Sequence, residues 1–117
     1  MGRQKKTPFP PWQSCKDRGL EERYIRLGNS QLLHPATQQL SDKAFRVYVN
    51  MLLEAGGGRT FTFPRTKYEK LAGRATFQRI KNELVEKGFI REVQNNANLR
   101  KANVYEFSDE WKRYRPP

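Results

Sequence analysis

The segment of residues 65–107 constrains the fold more than any other part of this sequence. A short run with apolar residues on one side, about residues 65–72, ends at Gly73. The longer run that follows, about residues 75–87, has apolar residues at the i, i+3 and i+7 positions of one helix face. These are Phe77, Ile80 and Leu84. The pattern predicts two helices joined by a tight turn at a glycine.

Two strand-like runs follow the second of these helices. Residues 89–94 and 102–107 are rich in β-forming residues, and the Asn-rich loop 95–98 lies between them. Strand-like runs on either side of a turn-like loop are typical of an antiparallel hairpin. We therefore expect a β-hairpin directly after the second helix, with a polar tip that also carries Arg100 and Lys101.

Elements upstream of this segment complete a small α+β domain. Ser41 is a good N-cap for an amphipathic helix over residues 42–55, which three glycines end, and residues 59–63 alternate as in a short strand. Alternation over residues 23–27 predicts another strand, and Ser30 is expected to cap the helical turn after it. The predicted fold is α+β, with a three-helix core, a small antiparallel sheet and the hairpin.

The chain divides into a basic arm and one domain. Its 117 residues suffice for one hydrophobic core but not for two. Residues 1–22 contain several prolines and a short basic run, which predicts a largely flexible N-terminal arm. Residues 23–115 are expected to form the domain.

The charge of the chain indicates an anionic partner. The formal net charge is +11 and the sequence pI is about 10.2. Residues 59–117 hold fourteen basic and seven acidic residues, so most of the excess lies in the half that carries the two helices and the hairpin. A basic footprint of this kind is typical of nucleic-acid binding, although charge alone does not distinguish it from other basic proteins.

Several other classes of protein are disfavoured by the composition. A single cysteine and a single histidine give no disulfide and no zinc-ligand cluster, and no paired carboxylates, phosphate loop or nucleophile motif is evident. We therefore expect no metal, no cofactor, no small-molecule substrate and no enzymatic activity. No apolar run is long enough for a membrane span, and a cytoplasmic location is expected.

The outer face of the second helix carries the side chains best suited to reading DNA bases. If its apolar residues face inward, steps of about 100° per residue place Gln78, Arg79 and Asn82 outward. Arginine, glutamine and asparagine are the residues that form bidentate contacts with guanine and adenine in the major groove. The alternative is that these three residues form an ordinary solvated face.

Other basic and polar residues are candidates for contact with the DNA backbone. Arg74 and Thr76 flank the base-reading set, and Arg100 and Lys101 lie at the hairpin tip. Arg65 and Lys67 open the first helix of the pair, whose N-terminal amides suit a phosphate. In the arm, Arg3, Lys5 and Lys6 are candidates for phosphate or minor-groove contact, with a frayed tail as the alternative.

The arrangement resembles a known family along residues 24–114. The stretches that carry the resemblance are YIRLGNSQLL, LSDKAFRVYVNMLLEAGG, FTFPRTKYEKLAGRATFQRIKNELVEKGFI and ANVYEFSDEWKRY. They are similar to winged helix–turn–helix domains of bacterial mobile elements, which occur in phage and plasmid replication initiators and in small regulators. The resemblance implies a sequence-specific protein for double-stranded DNA that regulates transcription or replication initiation. A homodimer, a winged helix used for protein assembly and an RNA-binding module remain open.

Overall fold

The computed structural model describes residues 10–15, 21, 23–99 and 101–117. Within these residues the protein is α+β, with five α-helices and a three-stranded antiparallel sheet. The predicted arm contacts Arg3, Lys5 and Lys6, and Arg100 of the hairpin, lie outside the described residues. In the part of the chain that is described, no helix has the length and apolar character needed to cross a membrane.

Two short helices open the domain. Helix α1 covers Asn29–Leu33 and α2 covers Pro35–Gln38, with His34 between them. The Nδ1 atom of His34 accepts a hydrogen bond from the Ala36 amide at 3.1 Å, so the histidine caps α2, and Pro35 suits the first helical position. The prediction that Ser30 caps α1 is wrong, because α1 begins at Asn29 and its N-cap is Gly28.

The predicted strand over residues 23–27 is also wrong. This segment belongs to no sheet, although Ile25 and Leu27 are half-buried as their alternation predicted. The alternation therefore correctly predicts that one side of the segment packs on the domain. Strand pairing needs a neighbouring strand as well, and no free edge of the sheet pairs with this segment.

Helix α3, Asp42–Ala55, is the long helix of the core. The Ser41 hydroxyl accepts a hydrogen bond from the Ala44 amide at 3.3 Å, which confirms Ser41 as the N-cap. Gly56 ends the helix in a left-handed conformation with φ of 57°. The inner face of α3 is fully buried at Ala44, Val47, Tyr48 and Met51.

The sheet is assembled from strands that are distant in sequence. Strand β1 covers Thr60–Thr62, β2 covers Ile90–Gln94 and β3 covers Val104–Phe107, and their order is β1–β3–β2. Both pairings are antiparallel, with Phe61 opposite Tyr105 in one and a bulge between Glu92 and Gln94 in the other. The predicted hairpin is therefore present as β2 and β3.

Helices α4 and α5 lie between β1 and the hairpin. Helix α4 covers Arg65–Tyr68, which is shorter than predicted, and α5 covers Arg74–Glu86. Their rings stack in the core, with the Tyr68 and Phe77 centroids 3.9 Å apart. The inward positions predicted for α5, Phe77, Ile80 and Leu84, are all buried. A 3-10 turn over Glu110–Arg113 closes the domain against the end of α5.

Candidate nucleic-acid interface

The outer face of α5 presents the predicted base-reading residues to solvent. Gln78, Arg79 and Asn82 are all exposed, as the helical spacing predicted, and Thr76 is half-buried. The Arg79 Nη2 lies 3.4 Å from the Thr76 hydroxyl, one turn earlier. Most of the guanidinium donors of Arg79 are therefore directed at no acceptor in the part of the chain that is described.

The beginning of α5 lacks a side-chain cap. Its N-cap is Gly73, which offers no side-chain acceptor to the first-turn amides. The helix begins at Arg74, one residue earlier than predicted. Free amide donors and the positive end of the helix dipole therefore lie beside the Arg74 side chain, which is exposed.

A cationic groove runs between α4, α5 and the hairpin. Its volume is about 340 Å³. Its polar lining includes four of the residues that the sequence predicted for DNA contact: Arg65, Arg74, Gln78 and Lys101. Its floor is formed by the buried rings of the core, Phe63, Tyr68, Phe77 and Tyr105. None of the described residues that line it is acidic.

Burial of the floor raises the pKa of the Tyr105 phenol above its ordinary value. The hydrogen bond with Asn103 acts in the opposite direction, and the nearby Glu92 carboxylate adds a smaller upward contribution. A neutral phenol and aromatic rings thus lie beneath three cationic side chains, and the floor adds no formal negative charge to the groove.

Lys67 is separated from this group. Its ammonium lies 3.6 Å from the Glu54 carboxylate on α3, and Lys67 does not line the groove. Half of the Lys67 side chain is exposed, with a relative accessibility of 50%. Of the two cations predicted at the start of α4, the structure therefore brings only Arg65 to the groove.

The described part of the hairpin tip contains a short 3-10 turn. Asn96 is 5% exposed, and the turn follows it over Ala97–Leu99. The Asn96 amide donates to the Asn103 Oδ1 at 2.7 Å, and the Asn96 side-chain Nδ2 donates to the Ala102 carbonyl at 2.9 Å. These bonds join the two sides of the loop directly beside Lys101 and position Lys101 on the groove.

Asn103 was not among the residues predicted for the site. It lines the groove and also holds the hairpin tip. No local pattern in the sequence distinguishes it from the other asparagines, because its role depends on where the opposite side of the hairpin places the Asn96 amide donor.

Two contacts hold α5 in its orientation. The Glu83 carboxylate accepts hydrogen bonds from the Ser41 amide at 2.8 Å and from the Ser41 hydroxyl at 2.9 Å, which joins α5 to the start of α3. Lys81 forms an ion pair with Glu92 at 3.3 Å, which joins α5 to β2. Charge-assisted contacts of this kind fix one helix relative to its neighbours.

Among the described residues, no three His, Cys, Asp or Glu side chains lie close enough together to hold a metal ion. No family model, curated protein or solved structure matches this chain.

Proposed function

We propose that this protein is a winged helix that binds specific sites in double-stranded DNA and so regulates transcription or replication initiation. Helix α5 occupies the major groove, and the β2–β3 hairpin is the wing that lies on the neighbouring backbone. The order α3, β1, α4, α5, β2, β3 supports the fold assignment, because it is the order that the sequence patterns predicted for a helix–turn–helix followed by a hairpin.

The cationic groove is the observation that carries the proposal. Arg65, Arg74 and Lys101 come from three separate elements and converge on one groove without a carboxylate among its described lining residues. Because like charges repel, placing three cations around one groove costs free energy in the unbound protein. An anionic partner removes that repulsion when it binds. Phosphate oxygens on a DNA backbone are such a partner.

The exposed face of α5 supplies the means of reading sequence. Gln78 borders the groove, while Arg79 and Asn82 continue the same face along the helix. With the cations on phosphates, these three side chains are directed at base edges, where amide and guanidinium groups discriminate between base pairs. Specificity then belongs to α5, and general affinity belongs to the groove.

Selection from a random pool of DNA duplexes, using the full chain, tests the proposal. We expect one enriched site, and a palindrome would indicate that two copies bind together. Enrichment of no site, together with no binding of any duplex at low salt, would contradict the proposal. Competition with single-stranded RNA distinguishes an RNA-binding module, because such a module prefers unpaired bases.

Two substitutions separate the proposed roles. Arg79→Ala is expected to weaken binding to the selected site by about 1–3 kcal/mol and to relax specificity at one base pair. Lys101→Ala is expected to weaken binding to all duplexes alike and to flatten the salt dependence by roughly one unit of slope. Arg46→Ala, an exposed arginine on α3 outside the groove, is the matched control. Equal losses for all three variants would show that only net charge matters.

A further inference from the structure

A second cleft lies at the C-terminal end of α3. Its volume is about 570 Å³, and it shares no lining residue with the cationic groove. One wall is the irregular segment of residues 23–26, and the other is the end of α3 with the glycine turn of residues 56–58. Leu52, Leu53 and Phe107 supply the apolar surface between them.

The rim of this cleft leaves large apolar side chains in water. Leu53 is 66% exposed and Tyr24 is 54% exposed, while Leu52 and Phe107 are half-buried beneath them. Single exposed apolar residues are ordinary on a protein surface, but here two of them, Leu53 and Tyr24, border one concave site and offer an apolar surface to a ligand. Apolar side chains of a ligand would bury this area.

The polar part of the cleft is cationic. Arg23 and Arg26 are its charged residues, and the described lining holds no carboxylate. The Arg26 Nη2 donates to the Tyr24 hydroxyl at 3.1 Å, and the guanidinium lies 5.5 Å from the centroid of the Tyr24 ring. A guanidinium has five N–H donors, so this contact orients Arg26 and leaves donors for a carboxylate.

The glycine turn leaves open space beside the cleft. A Cβ added at Gly56 or Gly57 would have no neighbour within 4 Å. The backbone of an extended or helical ligand can therefore approach this turn closely without meeting a side chain. Two leucines and three glycines make up half of the ten described residues that line the cleft, and its aromatic surface is limited to the Tyr24 and Phe107 rings.

We propose that this cleft binds an acidic, amphipathic peptide segment of a partner protein. The apolar residues of the segment lie on Leu52, Leu53 and Phe107, and its carboxylates pair with Arg23 and Arg26. The site is separate from the groove proposed for DNA, so the protein can hold a partner while its DNA face stays open. This inference does not depend on the proposed function, because its evidence lies in different residues.

Fluorescence anisotropy with synthetic peptides and the full chain tests the inference. The probe is a labelled peptide in which leucine alternates with pairs of glutamates. Two further peptides replace either the glutamates with glutamine or the leucines with serine. We expect the probe to bind, and each replacement to lower its affinity about tenfold or more, because charge and apolar area both contribute.

Matched substitutions place the peptide on the cleft. Arg26→Ala and Leu53→Ser are each expected to lower probe affinity about tenfold, a loss of about 1.4 kcal/mol. Arg46→Ala and Leu33→Ser make the same chemical changes at exposed positions outside the cleft, and they should leave affinity unchanged. Circular dichroism of each variant checks that the fold is retained.

Several outcomes would overturn the inference. These are absence of probe binding, equal binding of the glutamine peptide, and equal losses in the matched controls. A loss on Lys101→Ala would place the peptide in the cationic groove instead. Displacement of the probe by ATP at lower concentration than by unlabelled peptide would show a nucleotide site. Failure to bind duplex DNA with intact probe binding would reject the proposed function alone.

Discussion

Two polar residues of the described chain, Thr37 and Asn96, are buried, and each forms a local cross-link. The Thr37 hydroxyl donates to the Gln31 carbonyl and so ties α2 back to α1. The Asn96 side chain donates to the Ala102 carbonyl across the hairpin tip. A buried polar group without a partner is costly, so these positions tolerate little change in chemistry.

One prediction for stability concerns the hydrogen bonds of the hairpin tip. Asn96→Ala removes the donor to Ala102 and leaves that carbonyl unpaired, so we expect a loss of about 1–3 kcal/mol in the free energy of unfolding. Asn98→Ala, at an exposed position of the same loop, should change it by less than about 0.5 kcal/mol. Urea denaturation measures both values. Similar values for the two variants would argue that the tip is not held by Asn96.

At the scale of elements, one carboxylate accepts the side-chain hydrogen bonds that join α5 to the start of α3. Glu83 receives both hydrogen bonds from Ser41 and lies 3.8 Å from the Lys87 ammonium. Its side chain is only 24% exposed. Removal of Glu83 leaves the Ser41 amide without its acceptor and the start of α3 without a neighbouring negative charge.

A prediction for this contact compares two glutamates of the same helix. Glu83→Ala is expected to lower the free energy of unfolding by about 1.5–3 kcal/mol, because it removes charge-assisted hydrogen bonds. Glu86→Ala changes the same charge at an exposed position and should cost less than about 0.5 kcal/mol. Thermal unfolding at matched salt measures the difference. If the two variants unfold alike, Glu83 does not hold the helices together.

The junction between α5 and β2 depends on a glycine for two separate reasons. Gly88 has φ of 86°, and an added Cβ would lie 2.5 Å from the backbone of Glu110 and Trp111. Gly57 has a similar φ of 91° but open space around it. Substitutions at the two positions therefore distinguish the cost of backbone strain from the cost of steric crowding.

We expect Gly57→Ala to cost about 1–2 kcal/mol through strain alone. Gly88→Ala should cost at least about 1–3 kcal/mol more, because the 3-10 turn over Glu110–Arg113 must shift. Denaturation curves of the two variants test this. Equal losses of stability in the two variants would mean that the 3-10 turn after β3 shifts to accommodate the new methyl group at little cost in free energy.

The elements that were predicted correctly are those whose ends or faces are marked by nearby residues in the sequence. Helix α3 was placed correctly because Ser41 and the glycines mark its ends, and α5 because its buried residues follow the helical period. The strand expected over residues 23–27 failed because alternation says nothing about a partner strand. The N-cap of α2 was not predicted, because the side chain that accepts the hydrogen bond from the Ala36 amide is a histidine and not one of the usual capping residues such as serine.

At the scale of the whole molecule, the groove could be predicted only in part. The exposure of Gln78, Arg79 and Asn82 follows from the helical spacing of α5 alone. The convergence of Arg65, Arg74 and Lys101 depends on how the hairpin packs against two helices, which no local pattern encodes. The separation of Lys67 from this group has the same origin, since its partner Glu54 belongs to α3.

Global stability should depend on alkaline pH through the core phenols. Burial raises the pKa of Tyr48 above its ordinary value of 10.0, and the hydrogen bond that Gln31 donates to its hydroxyl only partly offsets this. The unfolded chain then loses this proton at lower pH than the folded protein does. The contribution of Tyr48 is therefore complete below pH 10 and is lost as pH rises through the folded pKa.

Urea denaturation between neutral and strongly alkaline pH checks this dependence. Tyr48→Phe cannot ionise at this position, so its stability should fall less steeply above pH 10 than that of the unaltered protein. Its absolute stability also changes because the Gln31 bond is lost, and the slope is therefore the informative quantity. Identical slopes would show that Tyr48 does not govern the alkaline limit.

The distribution of ion pairs also has a kinetic consequence. Six carboxylates of the described chain lie beside a lysine or arginine, and these are Glu54, Glu83, Glu92, Glu106, Asp109 and Glu110. Their fields are cancelled at short range, whereas the cations of the groove keep theirs. The groove therefore adds a local positive field to that of the other exposed cations. A diffusing polyanion would turn this face toward itself before touching it, and successful encounters would become rarer as salt shortens the range of the field.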